Sequence, residues 1–322
     1  MRSAITLAFA SAFFLPLIAL ASSQEKAPVA NATTAAATIE SSRTFDFISK
    51  YNGEEYRVNV YLPRKKTPTN GYPALFVLDG NALFGTFAEA MRNRSMAGEI
   101  ESAVIVGIAS GEGDHGADRT LDFTSTDMST YEKSVIVDLG PDPPYGGSEK
   151  FYRVVEEEIK PRVAAMVKLD QSRSVLFGWS LGGLFVVHTM FEHPASFKSY
   201  IAISPSLWRN NKVVFKEIPG FEYQLSHGQI TPRLFVGVGS LEEKALPGLM
   251  VGQVRHDQLA AELRYCQMVS NTKEFAHDVG PYFSQHNLAY AFKVFDGDTH
   301  NSVPWSAINP VLDFAFPENI AH

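Results

Sequence analysis

A serine flanked by glycines is the residue of this chain best placed to do chemistry. Ser180 stands in the segment Gly178-Trp-Ser-Leu-Gly182, after an apolar run at residues 175–177 and before a second apolar stretch at helical spacing. A strand that turns this tightly into a helix exposes its serine, and glycine is expected at 178 and 182 because larger side chains would collide there. The helix N-terminus directs backbone N–H groups at a developing oxyanion. The segment therefore predicts a nucleophile that attacks an acyl carbonyl.

A nucleophilic serine needs a general base, and one of the nine histidines follows the last predicted strand. When a nucleophilic serine stands on such a strand-to-helix turn, its partners follow it along the chain in the order acid, then histidine, and each lies after the end of a strand. His300 comes after the strand predicted at residues 291–295 and before a C-terminal helix, so we expect it to accept the proton of Ser180. His188 and His193 fall on the helix behind Ser180, where structural roles are favoured.

The acid that orients His300 is predicted to be Glu242, which follows the strand predicted at residues 234–238. Glu243, Asp296 and Asp298 remain alternatives. Glu242 and Glu243 could instead stand at the start of a solvated helix, where the helix dipole stabilises carboxylates.

The segment 296–300 could also be interpreted as a metal site, but no other residues complete a ligand set, and no glycine-rich phosphate loop is present. We therefore expect neither metal nor cofactor.

The oxyanion should be bound by two backbone N–H groups. One belongs to Leu181, directly after the nucleophile. The other is assigned to Asn81, because Asp79-Gly80-Asn81 follows the continuous apolar run at residues 73–78, a predicted central strand.

These residues must be positioned by alternating strands and helices, which predict an α/β fold with a single doubly wound, mostly parallel sheet. Asn52-Gly53 between two strand-like runs predicts an N-terminal antiparallel hairpin at the sheet edge. The segment 111–147 is rich in Gly, Asp and Pro with little periodicity, so we expect it to form a pocket wall or lid.

The sequence predicts that the chain consists of three consecutive segments. Residues 1–21 have Arg2, an apolar run and an Ala-Leu-Ala site, and are typical of a secretory signal peptide. Residues 22–41 are predicted to be a disordered leader, and residues 42–322 the catalytic domain. The signal peptide predicts export to the periplasm or the medium, with no membrane span once the signal is removed.

The net charge of −7 disfavours nucleic acid as a partner, and Cys266, the single cysteine, is expected to be buried. The sequence indicates no oligomeric state.

Several stretches together resemble the esterase D-like (putative-esterase) family of α/β-hydrolases, and most of all its enterobactin and salmochelin esterase branch. They are the segments 72–81, 119–122, 177–183, 204–208 and 300–302. The resemblance implies an α/β-hydrolase fold, Ser180 and His300 as the catalytic pair, and substrate contacts at Trp208, Arg119 and Trp179. From the residues alone, Trp208 could equally be a core tryptophan, and Arg119 a surface arginine.

These observations predict an exported serine esterase that forms an acyl-enzyme and hydrolyses a small-molecule ester, preferably a siderophore trilactone of the enterobactin type. Alternatives are a carbohydrate acyl esterase for feruloyl or acetyl groups, and an acyltransferase or thioesterase with the same residues. A catalytically dead binding module is disfavoured by the intact serine, histidine and glycines.

Overall fold

The structure is a computed structural model that describes residues 38–110, 117–136, 144–228, 230–246 and 253–317. The predicted signal peptide and the leader through residue 37 lie outside the described residues. Residues 38–41, assigned to the leader by the sequence, belong to the same compact unit as the rest. Ile39 packs against the core, and Glu40 forms an ion pair with Arg64.

The described residues form one eight-stranded sheet in the order β1-β2-β4-β3-β5-β6-β7-β8. The first two strands are an antiparallel hairpin, and β2 also pairs antiparallel with β4, whereas all other neighbours are parallel. This confirms the predicted fold class. The strands are β1 (Ser42–Ile48), β2 (Glu55–Tyr61), β3 (Tyr72–Val77), β4 (Val104–Ser110), β5 (Leu169–Trp179), β6 (Ser199–Ile203), β7 (Arg233–Gly239) and β8 (Tyr290–Phe295).

The burial of each strand follows its apolar pattern. Every residue of β3 and β6 is buried, as expected for strands covered on both faces. In β2 the buried residues Tyr56, Val58 and Val60 alternate with more exposed ones, because this strand has one face toward solvent.

Helices cover both faces of the sheet, and each face has its own hydrophobic core. The helices are α1 (Gly80–Ala97), α2 (Ala117–Asp122), α3 (Thr130–Val135), α4 (Ser148–Val154), α5 (Lys160–Met166), α6 (Leu181–Glu192), α7 (Arg209–Lys212), α8 (Ile218–Ser226), α9 (Gln253–Cys266), α10 (Met268–Gln285) and α11 (Val303–Ala315). Helices α1 and α11 pack on one face, and α4, α6, α8 and α10 on the other. The sheet is therefore doubly wound, as predicted.

The structure differs from the sequence prediction in its helices. The segment 111–147 contains α2 and α3 rather than a continuous loop, and its residues 111–116 and 137–143 lie outside the described residues. Helices α8 and α10 were not predicted at all. A π-helical turn, Val155–Ile159, separates α4 from α5, and Pro161 stands in the first turn of α5. Proline lacks the N–H that would continue the regular ladder.

Candidate active site

Ser180 occupies a strained turn between β5 and α6. Its backbone has φ 61° and ψ −121°, outside the regions that non-glycine residues favour. The turn is fixed by the next strand, because the Ser180 N–H donates to the Ile203 carbonyl at 3.0 Å and the Ser180 carbonyl accepts from the Ser206 N–H at 3.0 Å. Strain held by surrounding hydrogen bonds is typical of functional residues, and here it presents the serine side chain at the carboxyl end of the sheet.

The two glycines around Ser180 have different roles, which corrects the expectation that both positions would collide with a side chain. A Cβ added to Gly178 would lie 2.1 Å from the Gly182 carbonyl oxygen, so no side chain fits. A Cβ on Gly182 would meet its nearest neighbour, an Asp79 carboxylate oxygen, at 3.4 Å, which is ordinary contact. The tight approach is thus made by the backbone of Gly182 against Gly178.

His300 lies within hydrogen-bond distance of Ser180. Its Nε2 is 2.9 Å from Ser180 Oγ, and its Nδ1 is 2.7 Å from Glu242 Oε2. The imidazole follows β8, and its ring is one-third exposed, so it remains open to solvent beside the nucleophile. This is the arrangement required for a base that accepts the serine proton while a carboxylate fixes its tautomer.

Glu242 is held by three partners. The side chain is fully buried. One carboxylate oxygen bonds His300, and the other accepts from the Ser204 hydroxyl and the Gly239 N–H. A buried carboxylate with its lone pairs satisfied in this way stays oriented toward the imidazole.

The other three candidate acids have different partners. Glu243 is exposed and accepts from the Ser270 N–H at 2.6 Å. Asp296 accepts from the Ser240 hydroxyl at 3.2 Å, and Asp298 from the Ser302 hydroxyl at 2.6 Å. Among the four, only Glu242 has a described hydrogen bond to His300.

The two predicted oxyanion donors lie at helix N-termini. Leu181 is the first residue of α6, and Asn81 is the second residue of α1. The first N–H groups of a helix have no intrahelical acceptor, so both remain available to an anion. Gly80 allows the loop to approach the sheet, since a Cβ there would lie 2.4 Å from the Gly107 backbone.

Arg119 lies on α2 rather than on a loop, and its side chain has partners within the protein. Its Nε and Nη2 donate to the two carboxylate oxygens of Asp79, at 2.6 and 3.1 Å. Nη2 also donates to the Trp179 carbonyl at 3.2 Å. Arg119 therefore bridges two loops of the site, and its contact with a substrate stays a prediction. Asp79, its main partner, was not predicted as a site residue; the sequence pointed only to the segment 79–81, for the backbone N–H of Asn81.

The two predicted aromatic contacts lie on the same rim as Ser180. The Trp179 ring is 5.0 Å from the His300 ring, centroid to centroid. Trp208 follows Ser206, whose hydroxyl lies 3.4 Å from Ser180 Oγ. The Trp208 ring is half-buried and meets Tyr265 edge-on at 5.8 Å. Sequence reasoning did not single out Ser206 as an individual residue, because proximity to Ser180 arises only when β6 pairs with β5.

Within the described residues, no group of three or more His, Cys, Asp or Glu side chains could hold a metal ion. In the same part of the chain, no helix is both long enough and apolar enough to span a membrane. Cys266 is buried, as predicted.

Known proteins match this chain over most of its length. The family model described as "Putative esterase" matches residues 49–295. Ferri-bacillibactin esterase BesA of Bacillus subtilis is 28% identical over 298 residues, which cover 90% of this chain and 94% of that protein. The siderophore triacetylfusarinine C esterase of Aspergillus fumigatus is 28% identical over 282 residues, 84% of this chain and 92% of that protein. The crystal structure of the BES protein from Bacillus cereus superposes with a TM-score of 0.75 at 29% identity, covering 88% of this chain and 99% of that one.

The fold and the match over residues 49–295 place the chain among the α/β-hydrolases. It belongs to the putative-esterase family, and it is a carboxylic-ester hydrolase, as the resemblance implied.

Proposed function

We propose that this protein is an exported siderophore esterase that cleaves its substrate through a Ser180 acyl-enzyme. The single observation that carries the mechanism is the chain of hydrogen bonds from Ser180 Oγ to His300 Nε2 and from His300 Nδ1 to Glu242, at 2.9 and 2.7 Å.

In the proposed mechanism, Ser180 Oγ attacks the ester carbonyl while His300 accepts its proton. The negative charge of the tetrahedral intermediate is bound by the N–H groups of Leu181 and Asn81. His300 then donates the proton to the departing alcohol, which leaves Ser180 acylated. A water molecule, deprotonated by His300, releases the acid in the second half of the reaction. Glu242 stabilises the imidazolium in both halves.

The proposed substrate is a trilactone siderophore of the enterobactin type, whose ester bonds join hydroxy acids that carry flat aromatic acyl groups. The names of the two similar esterases, one for ferri-bacillibactin and one for triacetylfusarinine C, support siderophores as the substrate class. Trp208, two residues beyond Ser206, and Tyr265 on α9 supply an aromatic surface. Aromatic side chains of this kind pack well against a flat ring.

Export is part of the proposal and depends on residues 1–21. Expression of the full chain in a bacterial host with a Sec pathway should yield a protein whose N-terminus begins near residue 22. An intact N-terminus in the cytosolic fraction would contradict export and leave the chemistry untouched.

Product analysis tests the substrate. The chain from residue 22 and its Ser180→Ala variant are incubated with apo- and ferric enterobactin, a feruloylated sugar and an aryl ester, and the products are measured by mass spectrometry. We expect Ser180-dependent release of linear trimer, dimer or monomer from enterobactin. Cleavage of the sugar ester alone would refute the substrate while keeping the mechanism, and cleavage of all of them by Ser180→Ala would refute the mechanism.

A further inference from the structure

Arg119 joins the two backbone segments that carry the proposed oxyanion donors. Its guanidinium holds both oxygens of Asp79, two residues before Asn81, and also the carbonyl of Trp179, two residues before Leu181. The Asp79 side chain is 4% exposed and that of Arg119 15%. A planar guanidinium with two parallel bonds to one carboxylate fixes distance and orientation together, which a flexible ammonium does not do.

The Asp79 carboxylate does not cap the helix that it precedes. Asp79 precedes the first residue of α1 and has left-handed backbone angles, φ 53° and ψ 42°, yet its side chain makes no hydrogen bond to the helix N-terminus. An aspartate at this position normally accepts from the N–H of the second or third helical residue, and the second one here is Asn81. Because Arg119 holds the carboxylate, the Asn81 N–H stays open for a ligand.

The charge of Arg119 matters as well as its geometry. A free carboxylate at Asp79 would lie beside the place where negative charge develops in the proposed reaction, and like charges in a poorly solvated site repel strongly. Pairing with Arg119 cancels this charge. The same carboxylate lies 3.4 Å from where a Cβ at Gly182 would be, so it is next to the start of α6 as well.

The short helix that carries Arg119 is fastened to the sheet at its other end. Asp122 accepts from the Tyr56 hydroxyl at 2.7 Å, and Asn52 donates to the same tyrosine oxygen at 2.6 Å. Tyr56 is fully buried on β2. The segment 119–122 is therefore anchored through Asp122 while Arg119 reaches into the site.

We propose that Arg119 is a positioning residue that assembles the oxyanion hole, by setting the Asp79 and Trp179 segments relative to each other and by keeping the Asp79 carboxylate off the Asn81 N–H. The inference rests on the proposed function, since it requires Ser180 to form an oxyanionic intermediate. It replaces the role of a substrate contact predicted from the sequence.

Arg119→Lys tests the inference, because it keeps the positive charge beside Asp79 but removes the planar group that reaches both segments. Arg94→Lys is the matched control: Arg94 is 19% exposed, holds the carboxylates of Glu99 and Asp313, and donates to the Asn309 carbonyl, far along α1 from the site. For each variant, kcat and KM are measured per active site titrated with an activated phosphonate ester, and the rate constant of phosphonylation is recorded. Circular dichroism verifies the fold.

We expect Arg119→Lys to lower kcat about 10- to 100-fold with KM changed by less than about twofold, since a displaced donor costs binding of the transition state and not of the substrate. Phosphonylation should slow in parallel, and the pH dependence of kcat should keep its shape because His300 and Glu242 are untouched. Asp79→Asn, which breaks the same contact from the other side, should show the same kcat loss, and combining it with Arg119→Lys should add little.

A normal kcat for folded Arg119→Lys, or a rise in KM alone, would overturn the inference, and the second result would return Arg119 to the role of a substrate contact. The same holds if Arg94→Lys loses as much kcat. These outcomes leave the proposed function standing. Only full activity of Ser180→Ala, measured in the same series, would remove the basis of both.

Discussion

At the scale of single residues, the buried carboxylate of Glu242 shows how the acid of the site can be tested. Glu242→Gln keeps the size of the side chain but no longer stabilises a charged His300, so we expect kcat to fall at least about 100-fold. Glu243→Gln is the control, because its exposed carboxylate binds Ser270 instead. Steady-state kinetics on an aryl ester measure both. Equal losses in the two variants, or a loss under about tenfold in Glu242→Gln, would indicate another acid or a Ser–His pair.

The two glycines of the turn give a second test at this scale. Gly178→Ala places a methyl group 2.1 Å from the Gly182 carbonyl oxygen, so we expect loss of folded protein or a displaced Ser180 with little activity. Gly182→Ala finds ordinary contact distances and should keep the fold, apart from a change in stability of about 1 kcal/mol or less. Thermal unfolding and activity of the two purified variants are compared. Greater damage in Gly182→Ala than in Gly178→Ala would contradict the close approach of the Gly182 backbone to Gly178.

The sequence allowed prediction of those site residues whose place along the chain is diagnostic. Ser180 is marked by its glycines, and His300 by its place after the last strand. Glu242 could be ranked above its rivals but not separated from them, because the side-chain direction of four nearby carboxylates depends on loop packing. The Arg119–Asp79 pair could not be predicted, since a contact between residues 40 positions apart leaves no mark on either local pattern.

At the scale of elements, the strands were predicted well and several helices were missed, of which α8 and α10 are the longest. Buried parallel strands appear as continuous apolar runs, which stand out in the sequence. Helix α10 buries Phe275, Val279 and Phe283 at helical spacing, but Gly280 and Pro281 stand inside it and are typical of a helix end. Helix α8 was missed for the same reason, because it contains a Pro-Gly pair. Packing on the sheet stabilises both helices against these local preferences.

Helix α6 carries a pH-dependent contact behind the nucleophile. Burial of His188 disfavours its charged form, but the hydrogen bonds and charge of Glu217, 2.9 Å from its Nδ1, outweigh burial and raise the pKa of His188 above its usual value. The stabilisation is therefore fully present below the unfolded pKa, about 6.5, and is lost as pH rises through the higher folded pKa.

We expect His188→Gln to destabilise the protein by about 1 kcal/mol more near pH 5.5 than near pH 9, as measured by urea unfolding. The control is His277→Gln: the His277 side chain is 88% exposed where it meets Asp278, and exposed ion pairs contribute little, so its loss should change stability little at either pH. A larger loss at pH 9 than at pH 5.5 would contradict the role given to this pair.

At the scale of the whole molecule, the parallel topology brings the site together. The carboxyl ends of β3, β5, β6, β7 and β8 lie at one edge of the sheet, and the residues that follow them are, in that order, Asp79, Ser180, Ser204, Glu242 and His300. Three of these five, Asp79, Ser180 and Ser204, have positive φ. Backbone strain at these strand ends is offset by the two hydrophobic cores that cover the faces of the sheet.

The same topology explains why the fold class could be predicted before the details of the site. Alternating apolar runs and helical segments specify strand order only loosely, but they determine that every strand end after the hairpin faces the same way. Which side chains then meet depends on loops such as the one between β6 and α7, where Trp208 and Ser206 lie. Local sequence patterns do not encode those loops.

The formation of an acyl-enzyme at Ser180 is the central claim, and intact-protein mass spectrometry after rapid acid quench tests it most directly. With an ester that deacylates slowly, the protein should gain the mass of one acyl group, and peptide mapping should place it on Ser180. Ser206→Ala is the matched control, because its hydroxyl lies 3.4 Å from Ser180 Oγ, and it should still be acylated. Ser180→Ala should neither be acylated nor turn over. Acylation or normal turnover in Ser180→Ala would contradict the account.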